Sequence, residues 1–304
     1  MFDIVSLGHF SIDSIFLPDR DLPFAVLGGS VAYVSLSARR FDVSVSVISK
    51  VGVDFPKAYL WWLEQEGIDL SNVLRVDDAK TTSFELKYTK DLSDRKLKLK
   101  SKAPSIKVED LPKPFRAKAL HLAPIAGEIS YEIVKELRDD ADVLSLDPQG
   151  LLRSFDSEGN VTYTSTVDKR ILELIDIYKS SIAELKVLTN SSNLKLAVKK
   201  IHDYGVKIVM VTSGMKGAFL SQEGVIHNLP AYNPRKLVDP TGAGDVFIGA
   251  FLAEYVHGKN SLWCACAGSA AASLVVEAAG PTFFGDKREI YRRADVLYEK
   301  EIKQ

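Results

Sequence analysis

The stretch Val238-Asp239-Pro240-Thr241-Gly242-Ala243-Gly244-Asp245, followed by the small apolar run Val246-Phe247-Ile248-Gly249-Ala250-Phe251-Leu252, limits what this chain can build more than any other. Pro240 ends a preceding strand, and two glycines around an alanine let backbone N–H groups converge on one point without Cβ obstruction. A helix starting there adds its dipole and its unpaired first-turn N–H groups, so the tip is a seat for an anion. Asp245 then sits where an anion should bind. A general base resolves that conflict: the carboxylate takes a proton from an incoming hydroxyl while the amides of Gly242, Ala243 and Gly244 hold a transferring phosphoryl group. The same residues also read as an ordinary helix start, with Thr241 as cap and Asp245 complementing the dipole, although a cap needs only one glycine.

The rest of the chain alternates as an α/β protein does. Strands are expected over Phe2–Leu7, Ser14–Leu17, Val43–Ile48, Asn72–Val76, Ala119–Leu122, Val143–Leu146 and Val206–Val211, with Ala218-Phe219-Leu220 after the last. Helices are expected from Ser30 through Ala38, over Pro56–Gly67, Glu128–Arg138, Asp168–Tyr178 and Asn193–Tyr204, from Ser181, over Gly242–His257 and Leu262–Ala279, and from Asp286. Thr82–Tyr88 and Arg95–Lys100, separated by the polar turn 90–94, form a hairpin; Leu97 and Leu99 alternate with lysines, giving one apolar and one charged face. A second small hairpin is expected around residues 157–160. The fold class is a doubly wound, mostly parallel central sheet flanked by helices, with a small β-sheet lid made by segments 12–30 and 80–102 of a single domain, 1–304. Gly28-Gly29 before a helix permits close backbone approach to a ligand, and Asp147-Pro148-Gln149-Gly150-Leu151-Leu152-Arg153 lies at the end of a central strand, where open α/β sheets place ligands.

Composition narrows the function classes. With 46% hydrophobic and 26% charged residues over 304 positions and a net charge of −1, the chain has no polyanion footprint and is not expected to bind nucleic acid. Cys264 and Cys266, with Ala265 between them, read as buried packing in a reducing compartment. No signal peptide is expected, and the apolar region Leu262–Ala279 is broken by Gly268, Ser269, Ser273 and Glu277, so neither secretion nor a membrane span is expected; the expected location is cytoplasmic.

Asp-Pro-Thr-Gly-Ala-Gly-Asp at 239–245 resembles the C-terminal signature of the ribokinase-like (PfkB) carbohydrate kinases, and further elements follow in that family's order over nearly the whole chain. The resemblance implies an ATP-dependent kinase with Mg2+, in which Asp245 is the base and Gly242, Ala243 and Gly244 form the anion hole. Asp13 and Gly28-Gly29 would grip the acceptor, with Tyr33 where the family usually has Asn. Ser181-Ile182-Ala183-Glu184 is similar to the family's Asn-x-x-Glu element, in which Glu orders magnesium-bound water. Thr212-x-Gly214-x-x-Gly217 is similar to the nucleotide loop, and Ser269 falls on the adenine-lining helix. Ser30 in place of the lysine of phosphosugar kinases points to a neutral polyol or sugar. Tyr33, Ser181 and the segment from Asp147, with Gln149 and Arg153 as acceptor contacts, resemble the myo-inositol kinase branch. A nucleoside kinase, with Tyr33 stacked on a base, and a non-catalytic sugar-sensing protein are the alternatives. A monovalent cation and a homodimer paired through the lid are left open by the resemblance.

Overall fold

The structure, a computed structural model, describes residues 1–92 and 94–302. Ser93, within the turn expected at 90–94, and the chain end at 303–304 lie outside them. β1 (Phe2–Leu7) opens the chain in the main sheet, β2 (Ser11–Phe16) and β3 (Phe24–Gly28) leave it, and α1 (Ser30–Ala38) leads back to β4 (Val45–Gly52). After α2 (Lys57–Gln65) and β5 (Ile68–Val76), the hairpin β6 (Thr82–Tyr88) and β7 (Arg95–Ser101) departs again. Alternation resumes with β8 (Ala117–Leu122), α3 (Tyr131–Leu137) and β9 (Ala141–Leu146), followed by the small hairpin β10 (Arg153–Phe155) and β11 (Val161–Tyr163). Then come β12 (Ile177–Ser181), α4 (Ile182–Thr189), α5 (Leu194–His202), β13 (Ile208–Thr212), β14 (Ala218–Gln222) and β15 (Val225–Leu229). The chain closes with α6 (Ala243–Val256), α7 (Ser261–Val275) and α8 (Lys287–Ile302).

The main sheet runs β15-β14-β13-β12-β9-β8-β1-β4-β5, and its strands from β13 to β5 are all parallel. Such a sheet must be covered on both faces. One core packs α1, α6 and α7 against it, and the other packs α3, α4 and α5. α6 is apolar all round and buried from Val246 to Glu254, as a helix at the centre of a layer must be. A Cβ on Gly249 would lie 2.5 Å from the Val34 carbonyl oxygen, which is how α1 and α6 come so close. The second sheet, β3-β2-β6-β7, is mixed: β2 pairs parallel to β6 and antiparallel to β3. Its inner face rests on Phe84, Leu86, Ile125 and Ala126.

The helix expected over 168–178 is not formed. A 3-10 turn takes Lys169–Leu174, satisfying the helical spacing of Ile171 and Leu172, and β12 begins at Ile177. Strand pairing wins because Ile177–Ser180 are buried and bonded into the sheet between β9 and β13. Lys179 in the middle of that strand had masked its apolar character. β2 also begins earlier than expected, at Ser11, so Asp13 lies within a strand and not in a turn. β3 falls in the segment 12–30 expected to form the lid sheet, whereas β15 was not foreseen.

Candidate active site

A cavity of about 50 Å³ lies between the second sheet and the start of α6. The turn at 238–245 forms one wall. Gly242 is the N-cap of α6 with φ +76°, a conformation that favours glycine, and a Cβ there would strike the Tyr33 ring at 2.2 Å. The N–H of Ala243 turns back to the Pro240 carbonyl at 3.4 Å; those of Gly242, Gly244 and Asp245 meet no protein acceptor among the described residues. They are the free donors of the anion seat. Asp239 braces the turn: its Oδ1 accepts from the Thr241 N–H (2.9 Å) and hydroxyl (2.5 Å), and its Oδ2 accepts from the Gly280 N–H (2.9 Å).

Asp245 projects from the first turn of α6 into the cavity, where Gln149 Nε2 donates to its Oδ1 at 3.3 Å and to Ser30 Oγ at 2.7 Å. Burial pushes its carboxyl up to about 6, Asp147 adding to the rise and Lys179 opposing it. A base is most useful when its pKa lies near the working pH. On the opposite side, burial pushes Asp13 up to about 6 against the pull of Arg95 and Arg153. Gly28 makes room for that carboxylate, since a Cβ there would lie 2.2 Å from Asp13 Oδ2. Gly29, at φ +90°, caps α1 against the His9 carbonyl. Among the described residues Ser11 Oγ, Asp13 Oδ1 and Tyr33 Oη are buried with no hydrogen-bond partner, and all three residues line this cavity. The Tyr33 ring packs against Gly242 on one side, with the Phe284 ring centroid 6.4 Å away.

Arg153 donates to the Ile125 carbonyl (2.8 Å) and to Gln149 Oε1 (2.6 Å), presenting both polar side chains to the cavity. The second sheet supplies a residue that the sequence reading did not single out: Arg95 lines the cavity and donates to Tyr88 Oη at 2.7 Å, which in turn meets Thr241 Oγ1 at 2.7 Å. Arg95 has the parity of Leu97 and Leu99 on β7, so period-two spacing could have placed it inward. The structure thus gathers Asp13, Gly29, Tyr33, Gln149, Arg153, Gly242 and Asp245 around one cavity.

Ser181, Glu184, Thr212, Gly214, Gly217 and Ser269 do not line it. Ser181 and Thr212 are register partners at the ends of β12 and β13. Ser181 and Glu184 form a capping box on α4, with Glu184 Oε2 accepting from the Ser181 N–H and hydroxyl, both at 2.7 Å. Gly214 and Gly217, at φ +54° and +96°, bracket the 3-10 turn between β13 and β14. Ser269, buried on α7, donates to the Pro230 carbonyl at 3.5 Å. Among the described residues no cluster of three or more His, Cys, Asp or Glu could hold a metal directly, and no helix is long and apolar enough to cross a membrane.

Residues 1–288 match the family model described as pfkB family carbohydrate kinase. A cytidine kinase of Thermococcus kodakarensis is 30% identical over 85% of this chain and 90% of its own. An inositol 3-kinase of Arabidopsis thaliana is 26% identical over 92% of this chain and 76% of its own. A solved pyrophosphate-dependent kinase of the ribokinase family, complexed with a pyrophosphate analog and myo-inositol, shares the fold with a TM-score of 0.80 at 23% identity, covering 95% of this chain and 99% of that one. With strand order, site and family model in agreement, this chain belongs to the pfkB family of carbohydrate kinases and is a phosphotransferase acting on a hydroxyl acceptor.

Proposed function

We propose that the protein transfers the γ-phosphoryl group of ATP to a hydroxyl of a small neutral polyol, a cyclitol such as myo-inositol or a related sugar. The observation that carries this reading is the set of three unpartnered buried groups, Ser11 Oγ, Asp13 Oδ1 and Tyr33 Oη, facing the same cavity as Asp245. Burying such atoms without a partner costs about 1–3 kcal/mol each, and a ligand that both donates and accepts at several positions removes that cost. Hydroxyl groups do both. The cavity is small beside the roughly 300–1,000 Å³ of pockets for drug-sized ligands, which favours one ring over two.

Asp13, Tyr33 and Gln149 hold the acceptor so that one hydroxyl faces Asp245. Asp245 takes its proton, the hydroxyl oxygen forms a bond to the γ-phosphorus, and the bond from that phosphorus to the β-phosphate oxygen breaks, releasing ADP. The N–H groups of Gly242, Gly244 and Asp245 meet the transferring oxygens. Ser181, Thr212, Gly214, Gly217 and Ser269 lie along the strand ends and helix on the donor side. Glu184 fits a role in ordering water around a phosphate-bound cation, because a lone carboxylate held in a capping box is no metal cage. Magnesium bound there supplies charge neutralisation for the phosphates. The β6–β7 hairpin shields the reaction from water.

A nucleoside acceptor is the second reading, supported by the 30% identical cytidine kinase. Phe84, Leu86 and Leu97 would then face the base. Turnover measured with ATP and with pyrophosphate across inositols, sugars and nucleosides separates the two. The highest kcat/KM is expected on a cyclitol or sugar. Selective phosphorylation of cytidine would overturn the polyol assignment, and ligand-induced thermal stabilisation without turnover would reduce the protein to a sensor.

A further inference from the structure

Behind the catalytic turn lies a charge pair that the acceptor cavity does not use. Lys179, on β12 in the centre of the main sheet, is 5% exposed, and its Nζ lies 2.5 Å from Oδ2 of Asp147, which is 1% exposed at the end of β9. A strand buried on both faces ordinarily carries apolar residues, and a Met would occupy the same space without desolvating a charge. The far side of the ammonium faces the anion seat: a Cβ on Gly244 would lie 2.6 Å from Lys179 Nζ. The ammonium thus accounts for the second glycine, which a helix cap does not need. His121 does not share the charge, because burial and the nearby Lys179 push its imidazole down to about 3, leaving it neutral.

We propose that Lys179, clamped by Asp147, is a positioning residue of phosphoryl transfer that backs the Gly244 amide with a fixed positive charge and keeps Asp245 ionised. This rests on Asp245 being the base. The charged groups facing Asp245 are Lys179 from β12, Asp147 and Arg153 from the segment after β9, and, across the cavity, Asp13 from β2 and Arg95 from β7; Ser30 and Gln149 meet it as neutral partners. The two members of the pair act on it in opposite directions, Lys179 lowering and Asp147 raising its affinity for a proton. A purely structural pair, once broken, would give no such opposition.

The test is the pH profile of kcat/KM for Lys179→Met, Asp147→Asn, the double variant and Asp245→Asn, each checked for folding by circular dichroism. Lys179→Met should move the acid limb to higher pH and lower kcat about 100-fold, the scale of a lost anion-hole donor. Asp147→Asn should move the limb to lower pH. Limbs that stay in place, or that move the same way, overturn the proposal. Should a single variant fail to fold, the double variant decides, since it leaves no buried charge unpaired: reduced kcat with a wild-type limb supports the proposal, and wild-type kcat overturns it. Asp245→Asn separates the two levels. If it abolishes turnover while the limbs of the other variants stay put, only the role of Lys179 fails; if it retains its rate, the base assignment fails.

Discussion

The two walls of the cavity are finished to different degrees. On the 238–245 turn, Asp239 has both carboxylate oxygens bonded, to Thr241 and to Gly280, which braces the turn. On the acceptor side, Ser11, Asp13 and Tyr33 each leave a buried polar atom waiting. A wall whose side chains are braced is rigid and leaves open only backbone donors, which any phosphoryl group can meet; a wall with unpartnered side-chain groups is completed by whichever molecule supplies the missing partners. Chemistry and selectivity are therefore housed separately, and substitutions on the two sides should fall on different kinetic constants.

The largest effect should come from the finished wall. Asp245→Asn is expected to lower kcat by roughly 10²–10⁴-fold, the range for a general base, while acceptor affinity measured by calorimetry stays near wild type. A matching loss of affinity would break the division between the walls. Asp13→Asn, on the other wall, should cost about 100-fold in kcat/KM for the acceptor, as expected for charged hydrogen bonds worth about 1.5–3 kcal/mol each, and should act mainly through KM.

Both carboxyls sit at about 6, so kcat/KM should fall as pH drops through that value, steepening from about tenfold toward about 100-fold per unit as both carboxylates are lost. Stability runs the other way. The folded pKa of Asp13 lies above the unfolded value near 3.9, so the native chain binds the proton more tightly, and stability falls as pH rises from the unfolded value through about 6. Asp13→Asn should accordingly stabilise the protein at pH 7.5, by on the order of 2 kcal/mol, and give no gain below about pH 4, as thermal unfolding at the two pH values would show. The smallest effect is expected between the walls: Tyr88→Phe removes the hydrogen bond to Thr241 and the one from Arg95, worth about 1 kcal/mol each or together roughly 30-fold in kcat/KM, and a loss well beyond about 100-fold would mean that the walls are not separable.

Much of this was legible in the sequence where the partners are neighbours. The turn with free N–H groups, the carboxylate of Asp245 and the glycine before the helix are consecutive, and local sterics alone write that pattern. The hairpin's inward face was legible through the alternation of Leu97 and Leu99, and Arg95 continues it. Lys179 was not legible. The helix expected there stopped at Tyr178 and left Lys179 unread; what marks it is Asp147, brought alongside by the pairing of β9 with β12. The Gln149 contact with Asp245 likewise spans 96 residues. Such juxtapositions arise from topology, and composition or period carries no trace of them.

The hydrogen-bonded run from Arg95 through Tyr88 to Thr241 and Asp239 ties the hairpin to the catalytic turn. In the proposed cycle that tie is the contact that would loosen as acceptor and product exchange. Thr241 would then be a joint between a piece that swings and a piece that stays still, and its grip would set a clock: too weak, and idle donor would be lost to water; too strong, and departure of product would become the slowest event of the cycle.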